Sequence, residues 1–309
     1  MAKQFFFKTI LSIFFTAIIG IIFSIFVVIK IFPIQKNTYS LAHIDKIELL
    51  KEKQSKPKIV LFGGSNVAFG FDCDLLKQKF YNYDVINIGT DASLGMRFPL
   101  DEIKNSLNPN DILLVFPEFN HYMNGGYGGS SLWQLLSYKK SLSNLDFNLL
   151  LKILPSIKSI FNLQINAFAS NKLFKKIFTY DRRNFNHNGD YIGHHNFPLS
   201  STIEPSKMII SYLDNSFYNY LDEYKINLEN NNIKVLYFPP VYQKSSGELS
   251  RKEIEKIYSK SKNLFSSKYD KYFLEDYLFY DTVYHLNKEG ANLRTNILIE
   301  DLTEILNTL

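Results

Sequence analysis

Residues 58–72, KIVLFGGSNVAFGFD, constrain this chain more than any other stretch. They begin with an apolar, β-branched run of the length of a buried strand. Gly63 and Gly64 break the run, and Ser65 follows where the strand leaves its sheet. Similar runs recur at residues 83–88, ending in Asn87-Ile88-Gly89, at 111–116, closed by Pro117, and at 233–238, closed by Pro239-Pro240. Helical spacing predicts helices over 73–80, 93–107 with Ser93 as N-cap, 205–230, 249–265, and 288–306 with Asn287 as N-cap, and residues 272–280 read as a short, partly extended segment. Short strands alternating with helices imply an α/β fold with a parallel sheet and right-handed βαβ connections. The loops leaving the strands then meet along one edge, where open α/β sheets keep their chemistry.

The N-terminus carries a different signal. Residues 9–29 contain no charge and are bounded by Lys8 and Lys30. At about 1.5 Å per residue such a helix spans roughly 30 Å, the thickness of a bilayer core. A secretory signal has a shorter apolar core, about 7–15 residues, ending in a small-residue cleavage site. Here Lys30-Ile31-Phe32-Pro33-Ile34 follow, so the expectation is an uncleaved single-pass anchor over 1–34. Lys3 and Lys8 on one side balance Lys30 and Lys36 on the other, and the orientation chosen puts the large domain outside the cytoplasm, as a lone N-terminal anchor commonly does. Residues 35–56, with an amphipathic stretch over 41–53, are a stalk or a docking helix, and 57–309 form one domain. Residues 121–203 interrupt its alternation with a Gly-rich stretch (124–129), a helical run (132–178, broken at Pro155) and a polar segment (180–196). This is an insertion, placed to act as a lid or substrate platform.

The 309 residues leave room for a large core. The net charge of +5 is dispersed, with no basic run interleaved with aromatics, which argues against nucleic-acid binding. The single cysteine, Cys73, rules out an intramolecular disulfide and is expected to be a small buried residue.

A serine on a glycine-flanked turn becomes a nucleophile when one base lies beside it. The bland alternative is an ordinary strand-to-helix turn capped by Ser65 or Asn66. Just before the last predicted helix, Asp281 and His285 lie four residues apart. A Ser-His-Asp relay needs these three groups, and their order along the chain does not matter.

On these motifs the chain resembles the SGNH (GDSL-like) hydrolase superfamily. Gly63-Gly64-Ser65-Asn66 is similar to its first block, Asn87-Ile88-Gly89 to its second, and residues 281–285 to its last. Residues 284–290, with the pattern YHLNxxG, look like the membrane-anchored branches linked to cell-envelope O-acylation. The resemblance implies a three-layer, flavodoxin-like parallel-sheet sandwich. It implies Ser65 as nucleophile, His285 as base, Asp281 as the carboxylate orienting it, and an oxyanion hole from the Ser65 and Gly89 amides with Asn120. It implies an O-acetyltransferase or esterase at a bacterial-type membrane, without a cofactor, acting on an acylated cell-envelope carbohydrate, and a transferase would need a membrane partner as acyl donor. Two features depart from the pattern. Three residues, not two, separate Asp281 from His285, so the loop must bulge for the pair to meet. The third block's Gly-x-Asn-Asp is replaced by Pro117-Glu118-Phe119-Asn120-His121, leaving Asn120 as the nearest donor and Glu118 as the nearest alternative. The competing expectation is a domain that keeps the fold, has lost catalysis and binds a polymer or partner. His187, His194 and His195, with Asp181 and Asp190, match no standard metal-ligand spacing, and Arg182 or Arg183 could contact an anionic glycan.

Overall fold

The computed structural model describes residues 6–16, 20, 36–53, 55–139, 180–196, 203–260 and 264–307. In chain order the main elements are α1 (Ala42–Glu52), β1 (Lys58–Gly63), α2 (Ser65–Ala68), α3 (Cys73–Lys79), β2 (Asp84–Asn87), α4 (Arg97–Lys104), β3 (Ile112–Phe116) and α5 (Ser130–Lys139). After the insertion come α6 (Asn215–Glu229), β4 (Lys234–Tyr237), β5 (Tyr242–Gln243), α7 (Lys244–Ser259), β6 (Phe273–Leu274) and α8 (Lys288–Asn307). Strands β1 to β4 form one parallel sheet in the order β2-β1-β3-β4. A bridge from Tyr237 to Phe265 adds one more parallel pairing beyond β4.

The apolar runs are continuous because the sheet is covered on both faces. Val60, Phe62, Ile86, Leu113, Val115 and Val235 point into a core closed by α1, α4, α6 and α7. The alternate residues, Ile59, Leu61, Val85, Ile112, Leu114 and Leu236, face α3 and α8. The result is the α/β/α sandwich expected from the sequence. Connections from β1 run outward to β2 and then back to β3, so the topological switch lies between β1 and β3. That is where a crevice opens in such sheets.

Where the elements differ from expectation, local chemistry explains it. The helix predicted over 205–230 starts only at Asn215, where the Asp214 side chain accepts the Ser216 N–H at 2.9 Å. The preceding residues instead run along α7, with Ser206 and Met208 N–H groups donating to Ser246 and Ser250 hydroxyls at 3.0 and 2.8 Å. The helix predicted over 249–265 begins earlier, at Lys244. Ser93 does not cap a helix over 93–107: Asp91 caps a short 3₁₀ turn (Ala92–Leu94), and Gly95, at φ +74°, separates it from α4. Within 272–280 the extended parts are β6, which pairs with β5, and Phe279, which makes an antiparallel bridge to Leu286. In the stretch over 35–56, expected as a stalk or a docking helix, α1 packs with Ile47 and Leu50 in the main core. The helical run over 132–178 lies outside the described residues beyond Lys139, which ends α5.

Residues 6–16 are helical, with Phe6, Phe7, Ile10, Phe14 and Phe15 exposed. Residues 17–19 and 21–35 of the apolar N-terminal region lie outside the described residues. Among the described residues no helix is long and apolar enough to cross a membrane.

Candidate active site

Ser65 begins α2, at the carboxyl end of β1, with Gly64 as N-cap and no side-chain cap. A side chain on Gly64 would overlap Glu118 Oε1 and come within 2.8 Å of Ala92 Cβ, so only glycine lets the loops after β2 and β3 close on Ser65. Glu118, which follows β3 across the switch point, is 4% exposed. Its Oε1 accepts the Asn66 N–H at 3.2 Å and Asn66 Nδ2–H at 3.1 Å, and lies 3.4 Å from Ser65 Oγ. The last distance is long for a hydroxyl hydrogen bond, so this contact orients Ser65 only weakly. Asn66 is buried and passes the network on: Arg294, from α8, donates to its backbone and side-chain oxygens. The Arg294 guanidinium lies over the Phe71 and Phe116 rings at 4.2 and 5.0 Å, and burial lowers its pKa to about 9, against the pull of Tyr272 and Glu118. It therefore remains a cation at neutral pH.

His285 and Asp281 meet despite their unusual spacing. The extra residue is taken up by a turn over 281–284, in which Thr282 Oγ1 accepts the Tyr284 and His285 N–H groups at 3.3 and 3.2 Å. The Tyr280 N–H then returns to the His285 carbonyl at 2.8 Å. His285 Nδ1–H donates to Asp281 Oδ1 at 2.7 Å, which leaves Nε2 as the nitrogen available for proton transfer. Burial pulls the Asp281 carboxyl upward, but the His285 hydrogen bond and charge, with the Tyr180 hydroxyl, outweigh it and hold it below the ordinary carboxylate range. The imidazole stacks face to face on Phe69, with centroids 4.2 Å apart and planes 9° apart. Phe69 closes α2 by donating its N–H to the Ser65 carbonyl at 2.9 Å, so the pair sits one helical turn from Ser65. Among the described residues no hydrogen bond joins Ser65 to His285.

The expected oxyanion donors are distributed differently. The Gly89 N–H donates to Asn87 Oδ1 at 2.9 Å, and its carbonyl accepts from buried Lys46, so Gly89 is committed on both sides. Burial lowers the Lys46 pKa to about 7, with Asp190 opposing. Asn120 is exposed, and Glu118 occupies the ground next to Ser65. The backbone of Ala92 is pressed against Gly64. Its carbonyl is fixed by His121 Nε2–H at 3.1 Å, while His121 Nδ1 accepts the Glu118 N–H at 3.0 Å. Neither the Ser65 nor the Ala92 N–H has a partner among the described residues.

The insertion contributes through residues 180–196. Tyr180 donates to Asp281 Oδ2, and its oxygen is 3.0 Å from His285 Nδ1. The histidines do not form a metal-binding group: His187 is exposed beside Asp74, and Asp190 instead binds the Cys73 N–H at 3.0 Å and Asn87 Nδ2–H at 2.9 Å. Among the described residues no cluster is suited to hold a metal ion. Cys73 is buried, and burial raises its thiol pKa. Arg183 pairs with Asp181 at 2.7 Å and Arg182 with Asp45 at 2.5 Å, so both arginines are engaged within the chain.

His194 packs on Phe69 and donates Nε2–H to the Leu286 carbonyl at 2.8 Å, pinning the insertion to the loop that carries Asp281 and His285. Burial, reinforced by His195, lowers its pKa to about 4. The unfolded chain therefore takes up this proton first. The stabilisation is complete above about pH 6.5 and declines toward pH 4, by at most about 1.4 kcal/mol per pH unit. Urea unfolding of wild type and His194→Gln should show a stability difference that shrinks as pH falls through this window. A pH-independent difference would show that His194 titrates normally in the folded protein.

No protein-family model matches the chain, and no curated protein matches it.

Proposed function

We propose that the chain is a serine-dependent acyl-transfer enzyme of the SGNH type, an O-acetyltransferase or esterase. It is held in the membrane by residues 9–29 and acts outside the cytoplasm on an acylated cell-envelope carbohydrate. The observation that carries this reading is that the hydrogen-bonded Asp281–His285 pair stacks on Phe69, the residue that closes the short helix begun by Ser65 on the carboxyl edge of β1 at the switch point. Ser65 attacks the acyl carbonyl while His285 Nε2 takes its proton, and Asp281 holds the imidazole tautomer and its cation. The Ser65 N–H group serves the developing oxyanion. His285 returns the proton to the leaving alcohol, and water or a sugar hydroxyl then releases the acyl group. A transferase draws its acyl group from a membrane partner beside the anchor. In the purified full chain, p-nitrophenyl acetate should give saturable p-nitrophenol release, and folded protein without turnover would remove this reading.

Glu118 sets a further expectation. A carboxylate beside Ser65 opposes the oxyanion, and its amide isostere keeps Oε1 as the acceptor for Asn66 while removing the charge. Glu118→Gln is expected to raise kcat/KM for p-nitrophenyl acetate by about 10-fold or more, within the roughly 100-fold worth of one oxyanion donor. A large loss would instead make Glu118 the base for Ser65.

A second reading is favoured by the Ser65 hydroxyl, which lies against Glu118 and not His285. It is a fold kept for binding a polymer or partner, and it predicts that Ser65→Ala leaves function intact.

A further inference from the structure

We infer that Tyr180 is a positioning residue for the Asp281–His285 pair, and that the segment leading out of the apolar N-terminal stretch holds it in place. The inference rests on the proposed catalytic role of that pair.

His285 uses one oxygen of Asp281, and Tyr180 donates its hydroxyl to the other. The phenolic oxygen is also 3.0 Å from His285 Nδ1, so Tyr180 touches both members of the pair. Burial and the adjacent Asp281 raise the phenol pKa, so Tyr180 stays a neutral donor wherever the protein is folded. Its ring is tilted against Phe69 at 5.7 Å, and Phe69 is the residue on which His285 stacks. The phenol and the imidazole thus share one aromatic support.

Tyr180 is held by residues 36–45. Tyr39 meets its ring edge-on at 5.6 Å and 88°, and Tyr39 itself donates to the Thr90 carbonyl at 3.1 Å. The next residue, Asp181, forms an antiparallel bridge with Thr38. Arg182 follows: its N–H donates to the Asn37 carbonyl at 3.0 Å, and its guanidinium grips Asp45 of α1 with both arms, at 2.6 and 2.5 Å. A bidentate pair fixes orientation as well as distance. Movement of residues 36–39 relative to the sheet therefore carries Tyr180 with it and changes its hydrogen bond to Asp281. The placement of the chain between the apolar stretch and α1 becomes a setting of the catalytic pair.

Removing the hydroxyl leaves more of the Asp281 charge to the imidazole Nδ1–H, which strengthens that hydrogen bond. The test is proton NMR of the full chain in detergent at one fixed pH, reading the downfield ring N–H resonance of His285 that the bond to Asp281 creates, with His285→Asn assigning it. In Tyr180→Phe this resonance should shift downfield, and Arg182→Gln, which loosens the same strut, should shift it in the same direction by less. An unchanged resonance in Tyr180→Phe overturns the inference, whatever the chain's activity. Because the measurement needs no turnover, a shifted resonance in a protein that neither cleaves esters nor reacts with a serine probe would remove the catalytic reading and keep the strut.

Discussion

Alanine at His285 is expected to lower p-nitrophenyl acetate turnover by on the order of 1,000-fold or more, with Ser65→Ala equally severe and the double variant no worse than either. The non-additivity is the informative part. If Ser65 and His285 act as one unit, removing either disables both, whereas two independent contributions would multiply. Folding should survive both changes. Ser65 is half-buried, and among the described residues its hydroxyl makes only the long contact to Glu118. His285 fills a stack on Phe69, so His285→Gln, which retains polarity and much of the volume, serves as the folding control. Circular dichroism beside the kinetics separates loss of chemistry from loss of fold. Activity retained in Ser65→Ala would favour the binding reading.

The largest stability effect is expected far from the site. Lys58 opens β1 and Asp111 precedes β3; both side chains are buried and pair at 2.8 Å. Asp111 also accepts the Lys58 and Asn108 N–H groups at 2.7 and 2.8 Å. Asp111→Ala leaves a buried ammonium without its counter-charge and two backbone donors unmet, and should lower the unfolding free energy by about 3–5 kcal/mol. The double variant Lys58→Met/Asp111→Leu removes both charges and should recover much of that loss. Urea denaturation of the three proteins checks both statements. A double variant as unstable as Asp111→Ala would mean that the backbone bonds, and not the charge pair, carry the effect.

The sheet was legible in the sequence because a parallel sheet covered on both faces needs continuous apolar runs, and β1, β3 and β4 are such runs. Asn287 was legible as a cap, since its side chain accepts the Gly290 N–H at 2.9 Å. Helix starts were harder to read, because Asp214 and Asp91 act through side-chain bonds that only the folded backbone makes available. At the site, the sequence signalled residue types but not partners. Ser65, Asp281 and His285 stand out by type and spacing. Gly89 resembles a donor, yet its amide is taken by Asn87, whose side chain folds back over two residues. Ala92 and His121 gave no signal, because what they contribute is backbone placement across two loops. Arg294 carries a signal of its own: it sits at helical spacing among Ala291, Leu298 and Leu302, a charge on an otherwise buried stripe. Tyr180 could not be found from its neighbours in sequence, since its partners lie more than a hundred residues away at Asp281 and His285.

The most direct test of the central claim is to locate the adduct of a fluorophosphonate probe on the full chain. The reagent forms a serine Oγ–phosphorus bond as fluoride leaves, and it reacts rapidly only with a serine whose base removes the proton. Peptide mass spectrometry should find the adduct on Ser65, with labelling lost in His285→Ala. A folded chain that stays unlabelled, or one that carries the adduct on another residue, would contradict the assignment of Ser65 as the nucleophile.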